Sequence, residues 1–273
     1  MIVAESSGAA RHGGCFPAEA TVRTSEGVTK RISEVEIGER VAAVDSTGSV
    51  VYSPVLLFLD RDANQRRNFV VLRTERGDQL TLTPSHLIYT IPGNDVDAND
   101  AQLVATFAHR VQIDDWIVIV GGDGRSRRQR VVDVGVAAHT GVFAPLTEEG
   151  TLVVDDVVVS CYAVVDDQSL AHWAFAPVRM WTRIRRALGL GVDHVVTSAT
   201  QGVHPYAEFL YSIARTMLPS HLVYNWTATS SFRFRFFRQI SLKQYLLSTF
   251  ISFGVHFKDM IAPRRCKYLY ECT

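Results

Sequence analysis

Short runs of β-branched and apolar residues, separated by turn-forming residues, fill the chain from position 15 to about position 165. Residues 50–59 form one such run, the polar stretch 61–68 follows it, and the next apolar run ends before Glu75-Arg76-Gly77-Asp78. Short runs bounded by Gly, Asp and Asn are typical of strands and leave little room for helices. The sequence therefore predicts an all-β domain over residues 15–165.

Two pairs of segments within this region resemble each other. Residues 35–41 (VEIGERV) are echoed 76 positions later by residues 111–117 (VQIDDWI), and residues 74–77 (TERG) are echoed 73 positions later by residues 147–150 (TEEG). Two similar β units, neither able to close its own core, are expected to associate about a pseudo-two-fold axis. Each echo alone is weak, because V-x-I patterns recur by chance in β-rich chains.

Two helices are predicted beyond residue 165. Residues 177–188 begin with proline, end before Gly189 and carry four arginines beside Met, Trp and Ile, which predicts a short basic amphipathic helix. A second set of apolar side chains shares one helical face before Pro219, namely Tyr206, Phe209, Leu210, Ile213 and Met217. Such helices suit a lipid interface, and packing on the β domain is an equally weighted interpretation.

Composition divides the rest of the chain and limits its partners. Residues 1–14 are Gly-rich and are predicted to be a linker, residues 166–225 form the helical region, and residues 226–273 are an atypical tail for which disorder is one interpretation. Lys plus Arg and Asp plus Glu number 28 each, so no net charge attracts nucleic acid. The first apolar run is too short for a signal peptide, and no run reaches the roughly eighteen apolar residues of a membrane span.

The four cysteines do not form a metal or disulfide pattern. Cys15, Cys161, Cys266 and Cys272 include no C-x-x-C pair, so no metal site is predicted and each is interpreted as an individual thiol. Cys15 follows two glycines at the start of the β domain, where a thiolate could attack the Gly14 carbonyl and convert the amide to a thioester. A small buried side chain after a loop is the competing interpretation.

Three further side chains could support such an acyl shift. His86, in Thr83-Pro84-Ser85-His86, could protonate the departing nitrogen, and Thr83 could hold the amide. Asp60 ends an apolar run and could take a proton from an attacking alcohol. A strand-end histidine bonded to backbone and an ordinary turn aspartate remain the alternatives. Cys161 lies in a very apolar run and is predicted to be a buried core thiol.

Several ordered segments carry a resemblance to a known family. They are GCF at 14–16, IGERV at 37–41, FLDR at 58–61, LTPSHL at 82–87, APLT at 144–147, SCYA at 160–163 and SLAHW at 169–173. Together they resemble the C-terminal autoprocessing region of the hedgehog family, which shares its Hint fold with inteins. The likeness covers about residues 5 to 225.

The resemblance implies an activity and assigns roles. Cys15 is implied as the nucleophile that cuts between Gly14 and Cys15, with Thr83 and His86 serving thioester formation and Asp60 acting as base for a sterol hydroxyl. Cys161 is implied to be a free thiol near the nucleophile, with a redox or regulatory role.

The resemblance also implies partners and a location. Cholesterol is the expected substrate, no tightly bound cofactor is expected, and residues 166–225 would recognise the sterol at a membrane interface. Residues 1–14 resemble the end of a signalling part, which would leave as a cholesterol ester. A monomer in the secretory pathway (the endoplasmic reticulum lumen), whose products are later secreted or membrane-associated, is expected.

Two alternatives stay open. An intein begins with the same acyl shift but also needs a terminal His-Asn, which is missing around Cys161. A fragment that binds sterol or a membrane interface without catalysis would need none of the four candidate side chains.

Overall fold

Strands are the most frequent secondary structure in the described part of the chain. The computed structural model describes residues 13–93, 103–189, 201–219 and 222–224. All of them belong to a compact unit that extends from Met1 to Asn225. Most of the predicted linker (residues 1–12) and the whole predicted tail (residues 226–273) lie outside the described residues. The boundaries predicted for these segments therefore stay predictions.

The described strands are β1 (Thr21–Arg23), β2 (Thr29–Arg31), β3 (Arg40–Val44), β4 (Val50–Thr74), β5 (Gln79–Leu82), β6 (His86–Ile91), β7 (Val104–Phe107), β8 (Trp116–Val120), β9 (Ser126–Thr147), β10 (Thr151–Val154), β11 (Val157–Ala163) and β12 (Gly202–Val203). The described helices are α1 (Gln168–Ala174), α2 (Ala176–Ala187) and α3 (Pro205–Met217). Short 3₁₀ turns precede β3 and β8, at Ile32–Glu34 and Ala108–Arg110. The predicted all-β fold with a short helical region is confirmed.

The long strands β4 and β9 form the centre of the main sheet. They pair antiparallel, and their register shifts at several irregularities, one of which lies between Phe58 and Arg61. The sheet order is β10-β11-β6-β8-β9-β4-β12, with β3 and β5 on β4 and β7 on β6, while β1 and β2 form a separate pair. Because a bulge changes the direction of nearby side chains, the irregularity between Phe58 and Arg61 helps to set the direction of the Asp60 side chain.

The predicted internal duplication is present in the strand order. The first 3₁₀ turn, β3 and the start of β4 recur 76 residues later as the second 3₁₀ turn, β8 and the start of β9. Gly38, before β3, has φ of 91°, and its counterpart Asp114, before β8, has φ of 76°. Both units therefore have a left-handed backbone conformation at this turn. Gly38 adopts it without strain, whereas Asp114 carries a side chain that disfavours it.

The polar stretch 61–68 was predicted to separate two strands, and this prediction is wrong. β4 runs without interruption through it from Val50 to Thr74. Pairing with β9 supplies its backbone hydrogen bonds, for example at Arg66 opposite Thr140 and Arg67 opposite His139. A paired strand can be half exposed, so apolar side chains are not needed along its whole length.

The two predicted helices are present as α2 and α3. In α2 the buried Arg179 donates a hydrogen bond to the Tyr162 hydroxyl (3.0 Å), which ties the helix to β11. In α3, Tyr206 and Leu210 pack on the main core, whereas Phe209, Ile213 and Met217 are exposed. The predicted apolar face of α3 is thus only partly buried. No helix among the described residues is both long and apolar enough to cross a membrane.

Candidate active site

Cys15 lies fully buried beside β9. The next residue, Phe16, exchanges two backbone hydrogen bonds with Phe143, each 2.9 Å long. The Cys15 side chain belongs to a small apolar cluster with Phe69, Val142 and Ala144. This short bridge to β9 fixes the direction in which the chain presents Cys15 and the two glycines before it.

Thr83 holds the backbone on both sides of Gly14. Its hydroxyl accepts a hydrogen bond from the Cys15 N–H (2.8 Å) and donates a weaker one to the Gly13 carbonyl (3.4 Å). Its own N–H donates to the Cys15 carbonyl (2.9 Å). Thr83 therefore contacts the backbone on both sides of the Gly14–Cys15 peptide bond, while its role in catalysis stays a prediction.

His86 faces Gly14 with one ring nitrogen. Nε2 lies 2.8 Å from the Ser160 carbonyl, which can only accept, so Nε2 carries the hydrogen of the neutral ring. Nδ1 is buried without a hydrogen-bond partner in the described structure, and lies beside Gly14. Burial lowers the pKa of His86 to about 4, partly opposed by the backbones of Ser160 and Gly14. His86 is therefore neutral at pH 7, with the Nδ1 lone pair toward Gly14.

Only glycine fits at position 14. A Cβ atom there would lie 2.0 Å from the Ala163 Cβ and 2.8 Å from the His86 Nδ1. Both distances are shorter than van der Waals contact, and Ala163 lies on β11, where the paired backbone cannot move aside cheaply. The close approach of His86 to this peptide therefore depends on the missing side chain.

Asp60 meets the nucleophile from the bulged part of β4. Its Oδ2 lies 3.6 Å from the Cys15 Sγ, and the side chain is almost fully buried. Burial raises the pKa of Asp60, while Arg67 opposes this rise. Burial and then the Asp60 charge raise the pKa of the Cys15 thiol well above its usual range. The resting thiol is thus protonated and directs its hydrogen at Asp60.

Arg67 completes the site, and sequence analysis missed it. Its Nη2 lies 3.3 Å from the Asp60 Oδ2, and its Nη1 lies 3.3 Å from the Gly13 carbonyl and 3.9 Å from the Cys15 Sγ. Arg67 belongs to the polar stretch 61–68, which was predicted to separate two strands. The only available sequence signal was an arginine seven positions after the candidate Asp60, which is too common to single out.

Cys161 has a different environment. It lies on β11 with its Sγ 3.5 Å from the Thr147 Oγ1, and burial raises its pKa to about 11. Cys15 and Cys161 are both free buried thiols, but they belong to different apolar clusters. The prediction of a buried core thiol agrees with this position, whereas a redox or regulatory role stays a prediction.

Within the described residues, no group of three or more His, Cys, Asp or Glu side chains is placed to hold a metal.

The predicted sterol-recognition region contacts the strand that carries Asp60. β12 pairs antiparallel with β4, with Val203 opposite Asp60 and Gly202 opposite Arg61. The His204 N–H donates to the Leu59 carbonyl (2.9 Å) directly before α3 begins. Residues directly opposite in an antiparallel pair share a face of the sheet, so Val203 lies on the Asp60 side.

Comparison with known proteins identifies the family. A family profile described as the Hint module matches residues 3–219. The chain belongs to the Hint family. This Hint module is 43% identical over 216 residues to Protein hedgehog of Drosophila pseudoobscura pseudoobscura, and 41% identical over 215 residues to Protein hedgehog of Drosophila melanogaster. The predicted resemblance to the hedgehog family is therefore confirmed.

The extent of these likenesses is limited. Each hedgehog alignment covers 76% of this chain and 44% of the relative, so the Hint module matches less than half the length of these relatives. Among solved structures, a DnaB intein from Synechocystis sp. PCC 6803 is similar with 13% identity and a TM-score of 0.44, covering 56% of this chain and 99% of that one.

Proposed function

We propose that this chain cleaves its own backbone between Gly14 and Cys15 and transfers the released acyl group to a sterol, with cholesterol as the substrate. The observation that carries the proposal is the Gly14–Cys15 peptide bond, which is held by Thr83 and bordered by His86 Nδ1 while the Cys15 thiol is held by Asp60. Membership of the Hint family and similarity to hedgehog proteins support it.

The first step forms a thioester. The Cys15 Sγ bonds to the Gly14 carbonyl carbon, the bond from that carbon to the Cys15 nitrogen breaks, and one proton moves from sulfur to nitrogen. His86 is the proposed carrier of that proton, because its Nδ1 is unprotonated at rest and faces Gly14. Thr83 restrains the departing nitrogen, and the Asp60 carboxylate orients the thiol.

The second step passes the acyl group to the sterol. The sterol hydroxyl oxygen bonds to the Gly14 carbonyl carbon, the carbon–sulfur bond breaks, and the hydroxyl proton goes to Asp60 and from there to the sulfur. Asp60 suits this role because burial raises its pKa, which makes it a stronger base than an exposed aspartate. No tightly bound cofactor takes part.

Residues 166–225 are the proposed sterol-recognition region. Its strand β12 lies next to Asp60, which would bring a bound sterol to the acyl carbon. Several large apolar side chains of its helices are exposed, namely Trp173, Met180, Trp181, Ile184, Phe209, Ile213 and Met217. Arg183, Arg185 and Arg186 lie on the same helix as Met180, Trp181 and Ile184. Apolar and basic side chains together favour a membrane interface as the source of the sterol.

The proposed product is an N-terminal segment esterified by cholesterol at Gly14. By analogy with the hedgehog proteins, the reaction would take place in the secretory pathway, and the esterified signalling fragment would afterwards be secreted or membrane-associated. The substrate peptide is the chain's own N-terminal segment, so a monomer suffices.

The Asp60→Ala variant tests the separation of the two steps. We expect it to retain most cleavage by dithiothreitol, because a small thiol is partly ionised without a base, and to lose cholesterol-dependent cleavage by about 100-fold or more. Cleavage is measured by gel electrophoresis with detergent-solubilised cholesterol, and Asp133→Ala, an exposed aspartate on β9, is the control. Equal loss of both reactions would contradict the assigned role of Asp60.

An intact wild-type chain that binds sterol-containing vesicles would instead support a non-catalytic binding fragment.

A further inference from the structure

The Arg67 guanidinium connects three parts of the site. Its side chain is only 11% exposed, and besides Asp60, the Gly13 carbonyl and the Cys15 sulfur it contacts the Gln65 Oε1 (2.8 Å). The planar fork of an arginine can meet two acceptors at once in fixed directions, which a lysine ammonium cannot do. Arg67 thereby links the carboxylate to the backbone of the acyl donor.

Gly13 belongs to the part of the chain that leaves. When the thioester forms, the Cys15 nitrogen becomes a free amine, so its hydrogen bond to Thr83 no longer restrains the acyl group. The Gly13 carbonyl remains attached to Gly14 and still has three donors, which are Arg67 (3.3 Å), the Thr83 hydroxyl (3.4 Å) and the Ser85 hydroxyl (3.4 Å). Of these three, Arg67 is the one that also contacts Asp60.

We propose that Arg67 is a positioning residue that keeps the thioester's acyl group in place against Asp60 until the sterol hydroxyl attacks. This inference rests on the proposed function and adds a requirement to it. In the thioester the acyl carbon is joined covalently to the rest of the site only through a flexible C–S bond, and small displacements from the reactive geometry cost large factors in rate. Arg67 sets this geometry from both sides, through Gly13 and through Asp60.

The charge of Arg67 has a second, measurable consequence. Asp60 must be ionised to accept the hydroxyl proton, and Arg67 opposes the rise in its pKa that burial causes. Without the guanidinium, burial and the Asp62 charge still raise the pKa of Asp60 while the largest opposing effect is lost, so this pKa rises further. The acid limb of the pH profile, where the rate of sterol transfer falls as Asp60 is protonated, should then move to higher pH. A general loss of packing would not cause this shift.

The test compares Arg67→Met and Arg67→Lys with Arg73→Met. Arg73 lies on the same strand in an exposed ion pair with Asp133, so it is a matched control. The rate of cholesterol ester formation is measured from pH 5 to 9, alongside cleavage by dithiothreitol, and thermal unfolding checks that each variant folds. We expect the acid limb of Arg67→Met to shift upward by about one pH unit or more, since an adjacent opposite charge lowers a carboxyl pKa by about one to three units.

Arg67→Lys separates charge from geometry. The lysine charge should return the acid limb to its wild-type pH. The rate at high pH should stay about tenfold below wild type, because one ammonium cannot hold both the Gly13 carbonyl and Asp60. If Arg67→Met does not fold, Arg67→Lys alone decides, and a wild-type rate at high pH would overturn the proposal.

Two further outcomes are distinguishable. A profile of Arg67→Met that coincides with that of Arg73→Met would refute the positioning role while leaving the proposed function intact. If the wild-type chain makes no ester at any pH, the sterol assignment fails. Slower thiol-induced cleavage in Arg67→Met than in Arg73→Met would then still support the contact with Gly13, and equal rates would refute it.

Discussion

Single residues decide whether the proposed reaction is possible, and Gly14 is the most restricted of them. The space for a side chain at position 14 is occupied by Ala163 and His86. This close approach lets a neutral imidazole face the peptide bond that is to be cut. It also predicts that a larger residue at position 14 is not tolerated.

Replacing Gly14 by alanine should therefore slow cleavage strongly. The added methyl group must push the backbone away from His86 Nδ1, which we expect to slow cleavage by dithiothreitol by about 100-fold. The measurement is the fraction of chain cleaved over time, and Gly122→Ala is the control, because nothing lies within 4 Å of a Cβ at Gly122. Wild-type cleavage in the Gly14→Ala variant would show that His86 need not approach this peptide.

Individual elements differ in how far the sequence predicted them. The helices α2 and α3 were predicted because Pro177 and Pro219 mark a start and an end and because apolar residues recur at helical spacing. The middle of β4 was missed, since its backbone is satisfied by β9 from a distant part of the chain rather than by local pattern. For the same reason Arg67 could not be identified, as its partners come together only when this pairing forms.

The two-residue strand β12 is the element that links the helical region to Asp60. Gly202 has φ of 104°, a conformation that L side chains rarely adopt, and a Cβ there would meet nothing within 4 Å. An alanine at position 202 would therefore strain the backbone without causing a steric clash.

Gly202→Ala should therefore impair sterol transfer selectively. We expect about 1–2 kcal/mol of local backbone strain, which displaces β12 from Asp60 and lowers the rate of cholesterol-dependent cleavage while cleavage by dithiothreitol stays unchanged. Both rates are measured beside Gly135→Ala, an open position on β9 without positive φ. If Gly202→Ala transfers sterol like Gly135→Ala, β12 does not align the acceptor.

At the scale of the whole molecule, the internal duplication explains why the site lies where it does. The duplicated units contribute β4 and β9 to one pair, and residues 14–16 join that pair beside Asp60 and Arg67. The resemblance to the hedgehog family implied Cys15, Thr83, His86 and Asp60 as one group, and the structure places all four around the Gly14–Cys15 peptide. Sequence order could not reveal the orientation of the His86 ring, because Ser160 fixes it from β11.

The most direct test of the central claim is mass spectrometry of the purified chain after treatment with hydroxylamine at neutral pH. Hydroxylamine attacks thioesters much faster than amides, so attack of Cys15 on Gly14 predicts a fragment of residues 1–14 that ends in a hydroxamate, and a second fragment that begins at Cys15. Cys15→Ala should yield neither fragment. An intact wild-type chain, or cleavage at another peptide bond, would contradict the account.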